Sequence, residues 1–125
     1  MQMVSKPHQF DVLVMGNLYG DMVSDLGAGI VGGISASRGI NVGETIRVYE
    51  SFHGAGREVI PEGQANPLPL LLPACDLLEN HGYADAATRI RTAIGRVLTE
   101  GRVRTADLGG TATTVDMTRA ILRAM

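Results

Sequence analysis

Three features of the sequence predict an α/β chain. Val12-Leu13-Val14-Met15 is a continuous apolar run, the pattern of a parallel strand covered on both faces. Ile46 to Glu50 alternates apolar and polar residues, as a half-exposed strand does. Around them lie stretches with apolar residues at helical spacing, each closed by glycine: about 18–33, 67–81 and 84–100. At 125 residues the chain forms at most one domain. A chain of this size buries roughly two thirds of its unfolded surface, so a core is within reach.

Taken in order, Met1 to Val4 reads as the last turn of a helix, ended by the turn Lys6-Pro7-His8. The strand Phe10–Met15 follows, and Gly16-Asn17 turns out of it. The helix from about Leu18 to Gly33 has an apolar stripe of Met22, Val23, Leu26, Ile30 and Val31. Gly27, Gly29, Gly32 and Gly33 are poor helix residues, each about 1 kcal/mol worse than Ala. Gly27 and Gly29 either admit another backbone at close range or mark a weak helix that stops at Gly32-Gly33. Ser35 to Glu44 reads as a polar loop before the strand at 46–50.

Residues 51–66 form a long irregular loop, a kind that in compact domains is usually functional or disordered. It holds His53, Gly54, Gly56, Arg57 and Glu58, and closes on Asn66-Pro67, an N-cap followed by proline at the first helical position. A glycine-rich loop running into a helix can cradle phosphate; a lone histidine beside glycine is more often structural. The next helix, Pro67 to His81, runs through Leu70, Leu71, Leu72, Ala74, Cys75, Leu77 and Leu78 to Gly82. Pro73 falls inside it, where a proline costs about 3 kcal/mol unless the helix kinks. In the helix Ala84–Glu100, Ile90, Ile94, Val97 and Leu98 share a face, and Gly101 is the stop. Arg102 to Thr111 is a loop around Asp107-Leu108-Gly109-Gly110. Thr113-x-x-Asp116 is a capping box with Asp in place of Glu, and the last helix carries Val115, Ile121, Leu122 and Met125.

Composition narrows the function classes. A net charge of −2 points to no nucleic-acid or membrane surface. The single Cys75 excludes an intramolecular disulfide and a cysteine-rich zinc site, and it fits packing as a small core residue in a reducing compartment. No apolar run approaches a membrane span, and residues 1–9 lack the apolar core of a signal peptide. The expected location is the cytoplasm, or the mitochondrial matrix in a eukaryote.

The densest chemistry lies in Asn17-Leu18-Tyr19-Gly20-Asp21-Met22-Val23-Ser24-Asp25. On a helix, Asp21 and Asp25 project from one face and repel each other. A hard divalent cation with oxygen ligands would hold them together. The plainer reading makes Asp21 a first-turn acid favoured by the helix dipole and Asp25 a solvated surface residue.

This motif resembles the metal-binding signature of the isocitrate and isopropylmalate dehydrogenases. His53-Gly54 followed thirteen residues later by Asn66-Pro67, and Thr105-x-Asp107-Leu108-Gly109-Gly110-Thr111-Ala112, match the same family in order and spacing. Ala28-Gly29-Ile30-Val31-Gly32-Gly33 and the Asp-Leu-Gly-Gly motif resemble the NAD-dependent isocitrate branch more than the isopropylmalate branch. The resemblance covers nearly all of this chain, which looks like the C-terminal third of a family member. It implies a partial dehydrogenase-like α/β fold, a mixed sheet flanked by helices. Residues 1–45 would end the small domain and carry the metal-site helix; residues 46–125 would close the larger, cofactor-binding domain.

The resemblance implies oxidation of a 2-hydroxy acid by NAD with loss of carbon dioxide, as in the tricarboxylic acid cycle, assisted by Mg2+ or Mn2+. Asp21 and Asp25 would be metal ligands. His53 and Gly54 would begin the loop over the adenosine side of the cofactor, Asn66 would approach the adenine, and Asp107 would belong to the same cofactor side. Glu58 stands where NAD-using members carry an acid that repels the 2′-phosphate of NADP, although neighbouring Arg57 weakens that preference. Ala55-Gly56-Arg57-Glu58 departs from the family's usual Thr-Ala-Pro-Asp. The third metal carboxylate, the substrate arginines and the catalytic tyrosine and lysine would lie before Met1, so no catalytic residue is expected within these 125. The alternative is a non-catalytic regulatory or interaction subunit. On either reading the region Asp21–Gly33 is expected to form a homo- or hetero-oligomer contact.

Overall fold

The computed structural model describes residues 1–33, 37–51 and 60–125. In chain order they form α1 (Gln2–Ser5), a 3-10 turn at Pro7–Gln9, α2 (Asn17–Ile30), β1 (Gly39–Val42), β2 (Arg47–Glu50), α3 (Leu68–Asn80), α4 (Ala84–Glu100), a 3-10 turn at Ala106–Leu108 and α5 (Thr114–Ala124). The result is helix-rich with one small sheet.

The core is built by α3, α4 and α5. α4 lies in the middle, packed on α3 on one side and α5 on the other. Leu68, Ala93, Ile94, Val97, Met117 and Ile121 form a buried cluster, with Leu71, Leu72, Ile90, Leu98, Val103 and Leu108 around it. The helix at 84–100 has the bounds that its periodicity predicts, and Gly101 ends it in the left-handed conformation at φ +67°. α5 starts at the predicted capping box: the Thr113 hydroxyl accepts from the Asp116 N–H at 3.1 Å, and the Asp116 carboxylate accepts from the Thr113 N–H at 3.1 Å. Of the apolar residues expected to anchor α5, Ile121 is buried while Val115, Leu122 and Met125 are exposed; Met117 takes the deepest position. α3 runs through Pro73, which is itself buried.

Two expectations change. Residues 10–15 form no strand, and Val12 and Val14 are 77% and 90% exposed. A strand exists only as part of a ladder, and no described strand lies beside this run to satisfy its backbone groups. The stretch read as a polar loop contains β1, which pairs antiparallel with β2 from Gly39↔Glu50 to Val42↔Arg47. The hairpin is docked on the end of α3: Asn80 Nδ2 donates to the Tyr49 hydroxyl at 2.8 Å, and Arg47 donates to Asn80 Oδ1 at 2.5 Å.

Candidate functional site

Two groups of the predicted residues can be placed. The first is Asn66 with Asp107, 41 residues apart in sequence. Asn66 Nδ2 donates to Asp107 Oδ2 at 2.9 Å, while Asn66 Oδ1 accepts the Leu68 N–H at 2.9 Å and so caps α3. Asp107 sits in the tight turn Ala106–Leu108, and its Oδ1 accepts from the hydroxyl of the fully buried Thr105 at 2.5 Å. The turn is closed by Leu108 N–H and Gly110 N–H donating to the Thr105 carbonyl. Gly110 is required here, since a Cβ would collide with the Arg104 carbonyl. Asn66 is buried with its amide committed to these two bonds, and Asp107 is the exposed member of the pair. The loop before Asn66 is anchored to α5: the Thr114 N–H and hydroxyl donate to the Gly63 carbonyl, at 2.8 and 3.0 Å, and the hydroxyl also reaches the Ala65 carbonyl at 2.6 Å.

The second group is Asp21 and Asp25 on α2. Both are exposed on a helix that carries them one turn apart. The donor set fits a hard cation, which prefers carboxylate oxygens, but supplies only two side chains. Among the described residues, no third His, Cys, Asp or Glu joins them to complete a metal-holding cluster. His53, Gly54 and Glu58 lie outside the described residues.

One polar centre was not anticipated. Asp76, in the middle of α3, is buried and receives Arg38 at 2.9 Å together with Arg91, whose guanidinium also reaches Glu79 at 2.7 Å. A signal existed: Asp76 interrupts the apolar run from Leu70 to Leu78, and a carboxylate within such a run needs a cationic partner. Cys75 beside it is fully buried, and burial pushes its thiol up, against the pull of Arg91. It is an inert core thiol, as expected.

The profile of the isocitrate/isopropylmalate dehydrogenase family matches residues 1–121. The chain belongs to that family. It is 43% identical over 125 residues to the isocitrate/homoisocitrate dehydrogenase of Thermus thermophilus, covering 100% of this chain and 37% of that protein. It is 42% identical over 126 residues to the mitochondrial NAD isocitrate dehydrogenase regulatory subunit 1 of Arabidopsis thaliana, covering 98% of this chain and 34% of that one. The crystal structure of isocitrate dehydrogenase from Methylococcus capsulatus superposes with a TM-score of 0.89 at 39% identity, covering 98% of this chain and 37% of that chain. The chain therefore spans about a third of the length of these relatives, and its fold is a part of the α/β dehydrogenase fold. No helix of the described residues is long and apolar enough to cross a membrane.

Proposed function

We propose that this chain is the cofactor-side and metal-side part of an NAD-dependent oxidative decarboxylase that converts isocitrate to 2-oxoglutarate. The observation that carries the reading is the pairing of Asp21 with Asp25 on one exposed face of α2, in a family chain that also presents Asp107 on a fixed turn. Asp21 and Asp25 would hold Mg2+ or Mn2+, which supplies Lewis-acid stabilisation for the charge that develops on the substrate oxygen. Asp107, with both carboxylate oxygens aimed by Asn66 and Thr105, offers a fixed acceptor to the adenine side of NAD. These two parts bind and orient; the residues that move protons would come from outside these 125, and the chain alone is inactive.

Titration of the pure chain with Mn2+, followed by electron paramagnetic resonance, tests the metal half. Weak binding is expected, lost in Asp21→Asn and Asp25→Asn; binding unchanged by both variants would overturn the assignment. Isocitrate-dependent NADH formation by the pure chain would refute its inactivity. The same assay on material from the native source distinguishes isocitrate from 3-isopropylmalate.

A second reading, a non-catalytic regulatory or interaction subunit, draws on a different observation. Leu18, Tyr19, Met22, Leu26, Ile30 and Val31 are all more than half exposed along α2 and its end. A helix with that much apolar area in water is suited to association with another subunit. A stable monomer at micromolar concentration in sedimentation would count against it.

A further inference from the structure

An open cavity of about 630 Å³ lies between the turn after α4, the Gly109–Ala112 segment and one face of α5. Arg102, Arg104, Arg119 and Arg123 line it, with Asp116 as the one acid. Four of the chain's eleven lysines and arginines therefore meet at one place in a protein of net charge −2. Formal charges around the cavity come to +3.

The geometry points to this cavity as a binding site for a small polyanion carrying two or more phosphate or carboxylate groups. Arg102 is paired with Glu100 at 2.6 Å, but Arg104, Arg119 and Arg123 form no ion pair with any described residue. Asp116, whose carboxylate accepts from the Thr113 hydroxyl at 2.6 Å and the Thr113 N–H at 3.1 Å, offsets one of the four positive charges and leaves the rest uncompensated. Arg119 and Arg123 stand four apart on α5, a like-charge spacing that is unfavourable until an anion lies between them. Helix-dipole favour at the last turn accounts for Arg123, not for Arg119. Arg104 faces them from the other wall, over Gly101, whose missing side chain leaves room for the guanidinium. Planar guanidinium forks on opposite walls suit bidentate contacts to separated phosphate or carboxylate groups. The size lies within the range of small-molecule sites, and none of Asp21, Asp25, Asn66 or Asp107 lines the cavity.

Isothermal titration of the 125-residue chain with sodium tripolyphosphate, at low and constant ionic strength, tests the site. One saturable site is expected, weakened at least about tenfold by the double variant Arg104→Gln/Arg119→Gln, since each charged contact is stronger than a neutral one. Arg89→Gln, on the exposed face of α4, is expected to leave it unchanged. Citrate titrated in parallel assigns the source: equal affinity selects a polycarboxylate, and weaker binding selects a phosphate compound. Absence of saturable binding, equal binding by the double variant, or equal loss in Arg89→Gln overturns the proposal. Should the double variant fail to fold by circular dichroism, Arg123→Gln with amide chemical-shift mapping takes its place.

Discussion

Residues 68–125 and residues 1–51 have similar shares of apolar side chains but use them differently. In the C-terminal region, leucine, isoleucine, valine and methionine from three helices close on one another, and Met117 is wholly buried. In the N-terminal region most of the described apolar residues face water: Val12, Val14, Leu18, Tyr19, Met22 and Val31 are each more than 60% exposed, Phe10, Val23 and Tyr49 are half-buried, and Ala28 is the buried hydrophobic residue there. Periodicity makes a helix, but burial makes it stable. α4 and α5 have both, whereas α2 has the stripe but, among the described residues, no surface to lay it on. Local structure and tertiary support are thus separable within one chain of 125 residues.

The sharpest way to break this comparison is to truncate the same residue type on each side. Met117→Ala is expected to cost about 2 to 5 kcal/mol in urea unfolding, through lost burial and the cavity left behind. Met22→Ala, on the exposed side of α2, is expected to stay within about 0.5 kcal/mol. Equal losses would mean that α2 has a packing surface in solution after all.

A smaller effect is expected at the polar centre that joins the two regions. Asp76→Ala removes the carboxylate that ties Arg38, ahead of β1, to Arg91 on α4. Both arginines are partly in water, so screening reduces the loss to about 1 to 2 kcal/mol. Proteolysis between α2 and β1 should accelerate in the same variant.

Thr113→Ala should cost about 1 kcal/mol through loss of the α5 cap. It also has a pH signature. Hydrogen bonds from the Thr113 hydroxyl and N–H hold the Asp116 carboxyl below the ordinary carboxylate range. A group whose folded pKa is depressed stabilises the fold above its unfolded pKa, about 3.9 for Asp, and loses that contribution as pH falls through the folded value. The stability gap between wild type and Thr113→Ala is therefore expected to narrow in acid. It should not close, because the Thr113 hydroxyl still accepts from the Asp116 N–H. The smallest change is expected on α2, where Asp21→Asn or Asp25→Asn relieves a like-charge pair and gains a few tenths of a kcal/mol.

What the sequence disclosed follows the same division. α4 is legible because its apolar face and its glycine stop agree, and the Thr113–Asp116 cap is local chemistry that reads directly from spacing. The run at 10–15 has the composition of a buried strand, but a strand is a relation between segments, and apolar content does not name the partner. β1 is hidden in the sequence because Gly39 and Asn41 look like loop residues; Ile40 and Val42, alternating before a turn at Gly43, are the signal for a hairpin. At the candidate site, the motifs single out Asn66 and Asp107 one by one, while the bond between them belongs to tertiary structure. Asp76 stands in an apolar helix, but its partners at positions 38 and 91 lie too far along the chain for spacing to supply.

The Thr114 contacts to Gly63 and Ala65 have a consequence for the order of events during synthesis. Asn66 receives its partner from position 107, and the segment leading to it is pinned from position 114. A nascent chain that has extended only through α3 can make the Asn66–Leu68 bond but lacks the partners that fix the Asn66 segment from positions 107 and 114. Closing loops of some forty and fifty residues comes late in folding, after the local helices have formed. The Asn66 segment is fixed only after the first turn of α5 has been made, and any factor that engages the emerging chain earlier meets that segment open.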